Sequence, residues 1–273
     1  MQSHEIVGGG GARLHVVEAG NASGRPILFI HGFSQSWRAW SRQLDSGLAQ
    51  RHRLVAMDLR GHGLSDRPRE AYGESLLWAD DVRAVIDALH LEQPVLSGWS
   101  YGPLVGLDYI RHYGDDDIGG LHFVGGVSKL GSAAAMSVLT PEFVALVPAF
   151  FAIDPDESAR GLAALLGLCF ARAPADSDLN LMLGISLGVP PHVRQAMLSR
   201  AIDNDDVMSR LRKPVLITHG DRDRVVKPLA AEQHKASLAE AQLHLMPGAG
   251  HACFWDDAAG FNRRLAEFCE TLS

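Results

Sequence analysis

Apolar positions along this chain switch between two periods, and the switching outlines an architecture. Short runs rich in Val, Leu and Ile at 13–18, 26–30, 53–57 and 94–98 read as strands. Between the last two, Trp78, Val82, Val85, Ile86 and Leu89 recur at steps of 4, 3, 1 and 3. That spacing predicts a helix over 75–89 with a single apolar stripe. A further unit follows, with a strand at 94–99, a helix at 101–113 and a strand at 121–127. The glycine run 8–11 suggests the turn of an antiparallel hairpin among the earliest strands.

From about 128 to 210 the texture changes. No convincing strand appears, and Ala/Leu-rich stretches at 141–153, 157–171 and 191–202 read as helices separated by prolines and short acidic clusters. The alternation then resumes with a strand at 214–219, a helix at 229–237, a strand at 242–246 and a helix at 257–272. In that last helix Phe261, Leu265, Phe268 and Leu272 step by 4, 3 and 4. Alternating β and α elements imply right-handed crossovers and a largely parallel sheet with helices on both faces. The expected organisation is a first core part at 1–128, a helical cap at 129–209 and a second core part at 210–273.

Composition narrows the class without naming an activity. The 273 residues carry 25 Lys+Arg against 32 Asp+Glu, a net charge of −7, which argues against nucleic-acid binding. Cys169, Cys253 and Cys269 are odd in number and widely spaced, so reduced thiols are expected rather than a disulfide framework. Residues 1–11 have neither the basic nor the apolar segment of a secretory signal, and the apolar stretch 143–153 contains Pro148 and is too short to span a bilayer. A cytoplasmic protein with no membrane partner is the expectation.

The chemistry resides in a few motifs. Gly98-Trp99-Ser100-Tyr101-Gly102 matches G-x-S-x-G at a strand-to-helix junction, the setting that lifts a serine hydroxyl clear of a sheet edge. A serine needs a base, and the base needs an orienting carboxylate. His251 closes Pro247-Gly-Ala-Gly-His after the 242–246 strand, and two acids stand in the loop after the 214–219 strand. Asp221 suits capping of its turn, whereas Asp223 is the choice for the orienting acid. The backbone N–H groups of Phe33 and Tyr101 are the candidate oxyanion donors. His31 reads as support for its loop, and 58–66 as a glycine-shaped turn. No H-E-x-x-H or C-x-x-C is present, and the run 8–11 lacks the spacing of a nucleotide fingerprint, so no metal or cofactor is expected.

Taken together, His31-Gly32-Phe33, the 58–66 turn, Gly98–Gly102, Gly220-Asp-Arg-Asp223 and Gly250-His251 resemble the α/β-hydrolase superfamily, nearest its cofactor-free haloperoxidase (perhydrolase) and esterase branch. The resemblance implies a mostly parallel eight-stranded sheet, a helical cap, and a triad of Ser100, Asp223 and His251 with Phe33 and Tyr101 as oxyanion amides. One departure is Pro103 directly after the elbow, which costs no hydrogen bond in a first helical turn. A serine nucleophile argues against the dehalogenases and epoxide hydrolases of the superfamily, whose relatives attack through a carboxylate. All four tyrosines also precede the cap, leaving no cap tyrosine to act as an epoxide acid.

The expected activity is hydrolysis of small to medium apolar carboxylic esters. Alternatives on the same scaffold are a lactonase (of acyl-homoserine lactones, for instance), a C–C hydrolase of a ring-cleavage pathway, a perhydrolase, or a ligand receptor without turnover. Trp37, Trp99, Phe143, Phe150, Phe151 and Trp255 are the candidate pocket residues. The cap's Phe170, Met136, Met182 and Met197 add to its apolar character. The expected partner is an apolar ester or lactone, with a homodimer left open.

Overall fold

A computed structural model describes residues 1–272. Strands β1 (Gln2–Val7), β2 (Arg13–Gly20), β3 (Pro26–Ile30), β4 (Arg53–Met57), β5 (Val95–Trp99) and β6 (Gly120–Val124) precede a helical segment. That segment is framed by the two-residue strands β7 (Lys129–Leu130) and β8 (Ile202–Asp203), after which come β9 (Val215–Gly220) and β10 (Gln242–Met246). Eight of these form one sheet in the order β1-β2-β4-β3-β5-β6-β9-β10. β1 and β2 pair antiparallel, as do β2 and β4, and every other neighbour in the sheet is parallel. The mostly parallel α/β sheet expected from the alternation is the sheet found.

Central strands of such a sheet are covered on both faces and need apolar residues throughout. β3, β5 and β6 are buried along their whole length. Helix α1 (Ser75–Ala88) buries Trp78, Val82, Val85 and Ile86, the stripe read from the spacing. Helix α2 (Gly102–Tyr113) starts at the elbow and is buried from Gly102 to Ile110. Pro103 sits in its first turn, and Gly126 leaves the room it occupies: a Cβ there would fall 2.5 Å from Pro103 Cγ.

The segment between β6 and β9 holds α3 (Pro141–Phe150), α4 (Pro155–Cys169), α5 (Asp176–Leu187) and α6 (Pro191–Leu198). Three differences from the sequence reading have local causes. β6 ends at Val124 rather than 127 because Gly125 turns out of the strand at φ 52°. β7 and β8 pair antiparallel at the root of the segment, where no strand was expected, because two residues are too few to show a period of two. α5 was not expected either. Its apolar residues Leu179, Leu181, Leu183, Ile185 and Leu187 alternate like a strand, yet the helix buries Met182 and Ser186, one turn apart, and exposes Leu181 and Leu187.

The chain closes with α7 (Leu229–Ser237) and α8 (Ala258–Glu270), the latter burying Phe261, Leu265 and Phe268. The three cysteines are free and buried. No helix among the described residues is long and apolar enough to cross a membrane.

Candidate active site

Ser100 stands immediately after β5 with φ 57°, a left-handed backbone that costs a non-glycine residue about 1–3 kcal/mol. The surroundings hold it there. Its N–H donates to Val124 O at 2.9 Å, and its carbonyl accepts Val127 N–H at 3.2 Å, so the end of β6 clamps the turn from both sides. Neighbouring backbones then approach too closely for side chains. A Cβ on Gly98 would lie 2.5 Å from Gly102 C, and one on Gly102 would lie 2.5 Å from Ile30 O.

The loop after β3 lies against this turn, since a Cβ on Gly32 would come within 3.0 Å of Ser100 Cβ. The buried His31 fixes that loop. Its Nδ1–H donates to Gly32 O at 2.8 Å, and its Nε2 accepts Leu59 N–H at 3.0 Å. Burial keeps His31 below its ordinary pKa and pushes His62, its ring tilted against it at 5.1 Å, down to about 3. Both are neutral braces, and the same turn holds Asp58. The N–H groups of Phe33 and Tyr101 make no hydrogen bond within the described chain, which leaves two donors free beside Ser100.

β9 and β10 deliver the other two groups to the same end of the sheet. His251 Nδ1–H donates to Asp223 Oδ2 at 2.8 Å, while Asp223 Oδ1 accepts the N–H groups of Val225 and Val226 at 2.8 and 2.9 Å. Asp221 is exposed and instead accepts Gly248 N–H at 2.7 Å, capping the turn ahead of His251. A fourth residue, unassigned by the sequence reading, joins the acid: His219 Nε2 lies 3.0 Å from Asp223 Oδ2 and donates to Val226 O at 2.9 Å. Burial alone would raise the Asp223 carboxyl, but His251 and His219 outweigh it and hold it well below the usual carboxylate range. Trp99 Nε1–H donates to His251 O at 3.0 Å, tying the histidine loop to the elbow.

Ser100 and His251 open into one cavity of about 330 Å³. The remaining wall is mainly hydrocarbon, including Phe33, Leu130, Leu139, Phe143, Val147 and Leu165. The Ser100 hydroxyl makes no hydrogen bond within the described residues; it and the His251 ring line the same cavity.

Of the six pocket candidates, Trp99 and Phe143 line this cavity. The other four do not. Phe150 is fully buried behind it, against Phe33 at 5.5 Å and Phe143 at 5.9 Å. Phe151 packs half-buried at the end of α3. Trp255 points into the core, donating Nε1–H to Ala39 O beneath the Arg42 guanidinium. Trp37 lines a separate groove. Val225 and Val226, adjacent to Asp223, do line the cavity and went unread, although their position in the acid loop was a usable signal.

A buried link joins the helical segment to the elbow. Arg200, just past α6, donates to both Asp108 oxygens at 2.9 and 2.8 Å and to the Tyr101 hydroxyl at 3.0 Å. Burial pushes Asp108 up to about 6 and Tyr101 up to about 12 even with the guanidinium alongside. No cluster of three or more His, Cys, Asp or Glu suited to a metal occurs among the described residues.

Comparison with known proteins bears on the fold that carries these residues. A family model described as alpha/beta hydrolase fold matches residues 25–258. The crystal structure of the esterase RhEst1 from Rhodococcus sp. ECU1013 superposes with a TM-score of 0.95, at 33% identity and over 100% of both chains. The AB hydrolase superfamily protein YisY of Bacillus subtilis is 29% identical over 260 residues, 90% of this chain and 91% of that one. A 2-hydroxymuconate semialdehyde hydrolase of Pseudomonas sp. strain CF600 is 28% identical over 274 residues, 94% of this chain and 90% of its own.

Proposed function

The chain belongs to the alpha/beta hydrolase family, and on that premise we propose that it is a serine hydrolase of small to medium apolar carboxylic esters. Ser100 Oγ attacks the ester carbonyl while His251 Nε2 takes its proton. The N–H groups of Phe33 and Tyr101 receive the negative charge that develops on the carbonyl oxygen. His251 then returns the proton to the leaving alcohol. In the second half-reaction it activates a water that releases the acid from Ser100. Asp223 keeps the Nδ1–H tautomer in place, which leaves Nε2 free to act as base.

One observation carries the reading: the Ser100 hydroxyl and the ring of a histidine already held by a buried carboxylate line the same, mainly hydrocarbon cavity. Apolar walls favour an alkyl or aryl acyl group over a sugar or a phosphate. No Lys or Arg among the described residues lines the cavity to receive the carboxylate of a ring-cleavage dienoate, so the ester reading is preferred to carbon–carbon hydrolysis despite the semialdehyde-hydrolase relative.

The test is a panel of p-nitrophenyl esters from acetate to decanoate, assayed beside a lactone and a vinylogous diketone. Ester turnover should dominate, peak at short to medium acyl length and vanish in Ser100→Ala. Turnover retained in that variant, or a clear preference for the diketone, would overturn the proposal. A single acylation with no release would favour a ligand receptor.

A further inference from the structure

The N-terminal hairpin carries a second Ser–His–Asp relay. In the β1–β2 pairing Ser3 stands opposite Val17 and Glu5 opposite His15, so Ser3 and His15 are diagonal neighbours on one face, within side-chain reach. Ser3 Oγ lies 3.0 Å from His15 Nε2, and His15 Nδ1 lies 2.9 Å from Asp58 Oδ2. Asp58 is fully buried, and its carboxylate also accepts the N–H groups of Trp37 at 2.7 Å and Leu64 at 3.0 Å. Burial would raise this carboxyl. The His15 hydrogen bond and the two amides reverse that and hold it below its ordinary value.

An ionised carboxylate with two amides on it can only accept, so Nδ1 of His15 carries a proton, and the neutral ring turns a bare Nε2 to the Ser3 hydroxyl. This is the arrangement around Asp223, with the serine contact already closed.

The relay opens into a groove of about 700 Å³ that shares no lining residue with the Ser100 cavity. Leu181 and Ile185 of α5 form one wall. Arg38 and Arg67 are exposed at it. Arg38 lies 4.7 Å from the centre of the Trp37 ring, Arg67 donates to Gly63 O, and neither meets an acid among the described residues. Two cations at the groove without acidic partners, one of them over an aromatic ring, suit a negatively charged donor.

We propose that Ser3 is a second acyl-accepting serine, activated by His15 and Asp58 and selective for activated acyl donors that carry an anionic group. Ser3 Oγ forms the new bond to the acyl carbon, the bond from that carbon to the leaving oxygen breaks, and His15 passes the Ser3 proton to the departing alkoxide. Base assistance of this kind contributes about 10²–10⁴-fold.

The experiment uses the full-length Ser100→Ala protein, so that labelling at Ser3 does not depend on the site proposed above. It is treated with the monoanionic mono-p-nitrophenyl succinate or with neutral p-nitrophenyl acetate, and adducts are located by peptide-mapping mass spectrometry. The proposal expects one succinyl group on Ser3, its loss in a further Ser3→Ala change, and at least ~100-fold slower labelling with His15→Gln. Because Ser3 is exposed on an edge strand, Ser3→Ala alone should fold and keep its Ser100-dependent turnover. Label confined to the Met1 amine or to lysines, or Ser3 labelling unaffected by His15→Gln, would overturn the activated serine. Equal rates from the two esters would overturn the preference for an anionic donor.

Discussion

Replacing Asp223 with Asn removes one charge at nearly constant volume, and the hydrogen bonds around it dictate how the amide must sit. One orientation keeps an oxygen on the N–H groups of Val225 and Val226, now 2.8 and 2.9 Å from Oδ1, and turns the NH₂ toward His251 and toward His219, whose Nε2–H keeps Val226 O as its acceptor. The flipped orientation would keep an acceptor for His251 but set the NH₂ against two buried N–H donors. Leaving both donors unsatisfied costs ~2–6 kcal/mol, so the first orientation wins. His251 must then move its proton from Nδ1 to Nε2, and Ser100 faces a donor instead of a base. Loss of the correct tautomer in such relays costs about 10⁴ in kcat, or roughly 5 kcal/mol of transition-state stabilisation. The assay is kcat on p-nitrophenyl butyrate for Asp223→Asn and Asp221→Asn, with circular dichroism confirming the fold of each. Asp221 serves only Gly248, so its variant should lie within about twofold of the parent. A loss below tenfold in Asp223→Asn, or equal losses in the two variants, would refute the reasoning.

Three other outcomes follow from the same contacts. Arg200→Met leaves Asp108 buried without its partner and should lower unfolding free energy by about 3 kcal/mol in urea titrations, with Arg200→Met/Asp108→Leu recovering part of the loss. Phe143→Ala enlarges the acyl cavity and should move the ratio of octanoate to butyrate kcat/KM upward by at least about fivefold. Because the Asp223 carboxyl is held below its unfolded value, its contribution to stability is present above about pH 4 and declines as the pH falls further. Urea midpoints of the parent and Asp223→Asn should therefore converge between pH 4 and pH 2.5, and a constant gap across that range would contradict the assignment.

Much of the candidate site was legible because its groups sit at element boundaries that local pattern reveals. Ser100 follows a strand of wholly buried residues and precedes a helix, and the close backbone approaches around it admit only glycine at 98 and 102. Asp223 was separable from Asp221 because a residue directly after the β9 glycine suits a capping role, although the turn Asp221 caps is the one at Gly248 and not its own. What pattern cannot convey is which side of a packed aromatic faces an empty space. Phe150 and Trp255 carry the right composition for a pocket, yet one backs the cavity wall and the other is spent on Ala39 O. The α5 helix was hidden because its leucines alternate with a period of two, and a helix can expose half of them. The Ser3–His15–Asp58 relay was out of reach for a different reason. It spans separations of 12 and 43 residues, and it exists only through the register of β1 on β2 and the turn after β4.

The central claim is that Ser100 is the nucleophile of an ester hydrolase. Its most direct test is rapid acid quench during turnover of p-nitrophenyl butyrate, followed by peptide mapping of the trapped acyl group. The account predicts a butyryl adduct on Ser100 that forms within the first turnover, decays at the rate of steady-state hydrolysis and is absent from Ser100→Ala. Hydrolysis without an adduct on Ser100, or a kinetically competent adduct on a carboxylate or on Cys169, would contradict it.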